Sequence, residues 1–267
     1  MSVQITSINY NGQIANVILY SSTGNTIPYT NATQIALGFQ TIPFIYSSST
    51  LSNEYGVFSC NFTGFSKTCI INQKTPPDGD GNTYNTIKIG NQIWMSENLK
   101  TKKFQNGTPL DNIVDVSDAT WAAANGSTTR YWATYGDIST FGLLYNQYAL
   151  FGSTVGGAAS GNICPTGWHV PTNAEFSTLV TTLGVNGGVQ AKSTTSWIGS
   201  GNKTNSSGFN FLPNGFRISN GRFFQILSDG YYWATSSSPW ALNYLSTEFY
   251  QSGASSVTGC SVRCLKD

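Results

Sequence analysis

Charge is what this sequence has least of. Asp, Glu, Lys and Arg make up 9% of its 267 residues, against roughly 25% in an ordinary soluble domain. Thirteen basic side chains nearly cancel twelve acidic ones, and the net charge of +1 gives no field that would gather phosphate backbones. The one basic run, Lys100, Lys102 and Lys103, reads as a solvated edge, so nucleic acid is not expected as a partner. Histidine is reduced to His169, which stands beside no nucleophile motif and reads as a structural hydrogen-bonding residue. There is no G-x-S-x-G elbow, no P-loop and no H-E-x-x-H pattern, and the scattered carboxylates single out no glycosidase pair. The expectation is a non-enzyme with no catalytic residue, cofactor or metal. No stretch approaches the roughly 18 apolar residues of a membrane span, so membrane insertion is not expected. Met1 to Ser7 has neither the basic leader nor the apolar core of a signal peptide.

What is present is apolar and small. Hydrophobic residues reach 39% and aromatics 13%, ample for a buried core. Abundant Gly, Ser, Thr and Asn suit loop-rich β-structure displayed outside a cell. Five cysteines fit an oxidising setting, and the odd count leaves one over. Cys60 and Cys69 flank a short polar turn and can bridge a hairpin. Cys164 and Cys264 can close a loop of roughly 100 residues, for which chain entropy suggests about 4 to 5 kcal/mol. Cys260 is then the spare; the alternative is that all five are reduced, small hydrophobes.

From Val3 to about Asn72 β-favouring and polar residues alternate, as in Ala15 to Tyr20, Ile35 to Phe39, Thr41 to Tyr46, Gly56 to Cys60 and Thr68 to Ile71. Asn11-Gly12 and Thr23-Gly24-Asn25 supply turns. Residues 1–73 therefore read as a β-sandwich, an attachment or spacer domain. Pro76-Pro77 beside Asp-Gly repeats makes 74–82 a linker, and the Asp78, Asp80, Asn82 spacing lacks the terminal glutamate of a calcium loop. Residues 83–267 form the second domain. It opens with a hairpin, Thr83 to Ile89 and Gln92 to Met95, about Gly90-Asn91. A helical turn carries Trp121, a strand covers Gly142 to Tyr145, and a brief helix spans Asn146 to Phe151.

The clearest helix start follows Ile163-Cys164-Pro165-Thr166-Gly167-Trp168-His169-Val170-Pro171. Thr172 and Glu175 form a T-x-x-E capping box, Phe176, Leu179, Val180 and Leu183 keep the spacing of one buried face, and Gly184 stands at the C-cap. Val185 to Ser207 reads as a long surface loop pinned by Trp197. Phe223 to Ile226, Tyr231 to Thr235, Leu245 to Tyr250 and Gly259 to Cys264 are expected as the closing strands.

The Ile163 to Pro171 block, with Gly90-Asn91-Gln92-Ile93-Trp94-Met95-Ser96-Glu97-Asn98-Leu99, Gly142-Leu143-Leu144-Tyr145-Asn146, Tyr232-Trp233-Ala234-Thr235-Ser236-Ser237 and Ser261-Val262-Arg263-Cys264, resembles the Fibrobacter succinogenes major paralogous domain from about Asp78 to Asp267. That resemblance implies a C-type-lectin-like fold. The fold class is thus mainly β with α+β: an N-terminal β-sandwich, then the lectin-like domain. Calcium-dependent lectins of this fold use Glu-Pro-Asn or Gln-Pro-Asp with Trp-Asn-Asp, none of which occurs here. Formylglycine-generating enzymes share the fold and rely on reactive or copper-binding cysteines, whereas Cys164 and Cys264 look committed to each other and Cys260 alone is a weak centre. Glu97 reads as a buried structural carboxylate.

The segment Asp229 to Thr258 mixes large aromatics with small hydroxyl residues, the chemistry of a recognition surface. Tyr231, Trp240, Asn243, Tyr244 and Ser237 are the candidate ligand-binding residues; Trp233 and Phe249 read as core. This region resembles the part varied by diversity-generating retroelements in related phage and bacterial proteins. The expectation is a virion protein, a phage fibre or spike component. Its first domain binds other virion proteins and its second meets a host cell-surface glycan or protein, as a homo-oligomer, possibly a trimer, since weak contacts gain from multivalency. An extracellular look without a leader fits release by lysis; a bacterial cell-surface or secreted adhesin is the alternative.

Overall fold

The computed structural model divides into two compact units, Met1–Gln73 and Lys74–Asp267. In the first it describes the seven strands named next; in the second it describes residues 74–110, 117–123, 129–151, 161–199, 202–236 and 238–267. The protein is mainly β with few helices.

In the first unit β1 (Ser2–Ile8), β2 (Ile14–Tyr20) and β3 (Thr26–Ile27) form an antiparallel sheet. The strands β4 (Gln34–Leu37) and β5 (Gln40–Pro43) pair with each other, as do β6 (Val57–Phe62) and β7 (Phe65–Ile70). Backbone register sets Cys60 opposite Lys67 and Cys69 opposite Phe58. The expected Cys60 to Cys69 bridge concerns side chains outside the described residues.

The second unit begins where a linker was expected, and the expectation fails for a physical reason. Thr75 and Asp78 are buried, and Thr75 N–H donates to Tyr84 O at 2.9 Å. Asp78 accepts the Asp80 and Asn82 amides, each at 2.9 Å, and the Tyr84 hydroxyl at 2.5 Å. After the prolines the chain turns from Asp78 to Gly81, closed by Gly81 N–H to Asp78 O at 3.0 Å, and the Asp78 carboxylate gathers its own donors.

Its strands β8 (Thr86–Ile89) and β9 (Gln92–Met95) form the expected hairpin, with Gly90 at φ +59 in the turn. Next come α1 (Asp118–Ala123), carrying buried Trp121, β10 (Trp132–Ala133), α2 (Ile138–Phe141), β11 (Leu144–Tyr145) and α3 (Gln147–Phe151). After β12 (Trp168–His169), α4 (Asn173–Leu183) begins with its capping box complete and buries Phe176, Leu179 and Leu183. Val185 to Ser207, expected as plain loop, contains α5 (Gly187–Ala191). Trp197 does pin it, donating its indole N–H to Phe211 O at 3.2 Å.

Five strands then build the larger sheet: β13 (Asn214–Arg217), β14 (Phe223–Ile226), β15 (Asp229–Tyr232), β16 (Trp240–Asn243) and β17 (Tyr250–Gln251), in the order β14-β13-β15-β16-β17. Leu245 to Tyr250, expected as one strand, is mostly turn, because the Asn243 side-chain oxygen accepts the amides of Leu245 (2.9 Å) and Ser246 (2.8 Å) and bends the chain. Gly259 to Cys264 makes only isolated bridges, to Arg217, Tyr145 and Tyr232. The closing strand β18 (Leu265–Lys266) lies between β12 and β9 in the order β12-β18-β9-β8. Cys164 and Cys264 are disulfide-bonded, so this closing strand is tied to the entrance of α4.

Between the sheets sits Arg263, fully buried. Its guanidinium donates to Asn98 Oδ1 (2.9 Å), Phe209 O and Asn210 O, and lies over the Phe209 and Tyr232 rings. Carbonyls and π-faces thus solvate a charge that burial would otherwise penalise.

Candidate recognition face

The five-stranded sheet carries one lateral row of side chains across all its strands. Phe224 pairs with Phe216, the parallel Gly215 and Gly230 pair brings Phe216 beside Tyr231, Tyr231 pairs with Ala241, and Ala241 with Tyr250. Ring centroids are 6.1 Å apart for Phe224 and Phe216, and 4.5 Å for Phe216 and Tyr231. Small Ala241 stands in register between the two phenols of the row, Tyr231 and Tyr250. Residue alternation sends Tyr232 to the opposite side of the sheet, where it packs with Phe211 and Leu242 in the core.

One step along the strands Asp229 pairs with Asn243. Asp229 is only 6% exposed. It accepts the Ser228 hydroxyl at 2.9 Å and, more weakly, the Tyr231 hydroxyl at 3.4 Å. Burial raises its pKa from the ordinary aspartate value, and these hydrogen bonds only partly oppose that. Burial likewise holds Tyr231 protonated far above neutral pH.

Of the residues singled out from sequence, Tyr231 and Asn243 share this face. Tyr244 (38% exposed) stands at the adjoining loop tip beside Leu245 (67% exposed). Trp240 does not belong to the face: it is buried, stacks on Phe176 at 5.8 Å and donates to Asn173 Oδ1 at 3.3 Å. Its position opposite Tyr232 gives it the core side of the strand. Trp233 and Phe249 are buried as expected, and Ser237 lies outside the described residues. Phe216, Phe224, Asp229 and Tyr250 were not singled out; strand alternation through Asp229 and Tyr231 carries part of that signal, while the pairing of distant strands carries the rest.

Elsewhere His169 and Glu97 are held by partners. His169 Nδ1 meets Asp267 at 2.6 Å and Nε2 meets Glu175 at 3.0 Å. Glu97, half-buried, accepts the Asn85 amide at 2.5 Å. Burial pushes the Cys260 thiol well above its ordinary pKa, leaving it little thiolate with which to react. Among the described residues no three His, Cys, Asp or Glu side chains gather as metal ligands, and no helix is long and apolar enough to cross a membrane. Phe216 and Tyr231 are half-buried and pack on the core while Phe224 is exposed, so the row shows part of its aromatic surface beside hydroxyl, amide and carboxylate groups, chemistry that suits non-covalent recognition.

A search of the curated proteins finds no match to this chain, and none of the solved structures matches it. The sequence profile of the Fibrobacter succinogenes major domain matches residues 87–266. That span takes in the β8–β9 hairpin, α4, the five-stranded sheet and both bonded cysteines. It covers well over half of the chain, and the protein accordingly belongs to the Fibrobacter succinogenes major domain family.

Proposed function

We propose that the protein is a non-enzymatic adhesion component of a virion, a phage fibre or spike, whose second unit is a C-type-lectin-like domain that recognises a glycan or protein on the host surface. The lateral row from Phe224 through Tyr231 to Tyr250 carries this reading: rigid rings on paired strands offer contact area at low entropic cost, beside adaptable polar groups. The placing of the closing strand next to the opening hairpin supports the lectin-like fold. In the same reading the first unit is a β-sandwich that binds other virion proteins, and the chain self-associates, as a trimer.

The test is adsorption of the purified full chain to host cell envelopes. Saturable binding that falls at least tenfold on Tyr231→Ala, with near-ultraviolet circular dichroism unchanged, is the expected result. Absence of binding to any envelope, or binding indifferent to changes at Phe216, Tyr231 and Tyr250, overturns it.

A further inference from the structure

Asp229 has an unmet electrostatic demand. Buried carboxylates are ordinarily matched by a cation or by a full set of donors. Asp78, equally buried, shows the second solution: it collects two backbone amides, the Asn82 side-chain amide and the Tyr84 hydroxyl. An ionised carboxylate offers about four acceptor sites, and Asp229 fills two, one of them at 3.4 Å. No Lys, Arg or His forms an ion pair with it among the described residues. The three buried cations among the described residues are engaged elsewhere, Lys192 by the Tyr244 and Ser246 carbonyls, Arg217 by the Gly221 carbonyl and the Asp118 carboxylate, and Arg263 by the carbonyls of Phe209 and Asn210.

What surrounds the carboxylate has the same sign of preference. Asn214 and Asn243 flank it on the neighbouring strands, while the Tyr231 hydroxyl reaches it and the Phe216 ring packs against that of Tyr231; aromatic faces are electron-rich and attract cations. The outer ring of the row already holds one, the Arg222 guanidinium 5.7 Å from the Phe224 centroid. A neutral polyol would supply hydroxyl donors but leave the charge uncompensated. An ammonium group supplies the charge, and a primary one supplies N–H donors as well.

We propose that the Asp229 corner of the aromatic row receives an organic ammonium group of the surface ligand. The carboxylate is the counter-charge, and the Tyr231 ring, backed by Phe216, is the wall. This rests on the recognition role proposed above and names the ligand chemistry of that same face. An amino sugar and a choline-type substituent both carry such a group.

Titration calorimetry of the full chain with glucosamine, N-acetylglucosamine and choline tests it. Glucosamine should bind at least tenfold more tightly than its neutral acetylated form if the source is an amino sugar, and choline should bind best if it is a choline substituent; either outcome supports the assignment. Asp229→Asn, of nearly equal shape, should abolish that preference. Equal binding of all three probes, no binding of any of them, or a preference for a cationic probe that survives Asp229→Asn overturns it. The comparison of probes on the unaltered chain stands even if the variant misfolds. Failure here with envelope adsorption intact removes the ammonium alone, whereas loss of adsorption removes the recognition role.

Discussion

Lys192 is 1% exposed, and its ammonium donates to the carbonyls of Ser246 (2.6 Å) and Tyr244 (3.3 Å), fastening the loop tip beside the recognition face. Burial first, and the charge of Lys203 second, lower its pKa from 10.5 to about 8. Below pH 8 both folded and unfolded chains hold the proton, and the burial cost stands in full. Between about 8 and 10.5 the unfolded chain binds more protons, so stability should rise with pH across that window. Urea midpoints measured through it should climb, and Lys192→Met should flatten the climb. His169 has the opposite sign. Burial alone would lower its pKa, but hydrogen bonds and charge from Asp267 and Glu175 outweigh that and raise it. The clasp should therefore contribute fully below pH 6.5 and fade as pH rises through the elevated value; His169→Gln should remove this fall in thermal midpoint. The structural role of His169 is legible from its isolation in the sequence. The burial of Trp240 is not, since it depends on which side of a strand faces α4.

Among the elements, α4 is the most legible because its stop and start signals are local. Thr172→Ala removes the hydroxyl that accepts the Glu175 amide and should cost about 1 kcal/mol in denaturant unfolding. The five-stranded sheet is less legible. Its register joins Phe224 to Tyr250 through three intervening strands, and the Asn243 turn interrupts what composition suggests is one strand. Gly230 shows how tightly β15 approaches the segment leading into β13: a Cβ there would lie 2.3 Å from Leu212 O and 2.5 Å from the Phe211 ring. Gly230→Ala should destabilise the second unit by about 1 to 3 kcal/mol or more, read as a lower urea midpoint. A neutral outcome would mean that the strands are further apart.

For the whole molecule, the covalent tie between Cys164 and Cys264 spans 100 residues and holds the closing strand against the opening hairpin. Chain entropy puts its contribution at about 4 to 5 kcal/mol, so the paired change to alanine should lower the unfolding free energy by that order and leave the first unit's transition in place. Self-association as a trimer is checked by light scattering at micromolar concentration; a strictly monomeric chain would contradict it. The central claim is that this clasped platform holds a static contact face, and nuclear magnetic resonance mapping of the full chain titrated with host envelope polysaccharide tests it most directly. Shifts should concentrate at Phe216, Phe224, Asp229, Tyr231 and Tyr250, with α4 and the His169 clasp unmoved. Shifts centred on His169 and Glu175, or none on the row, would contradict it.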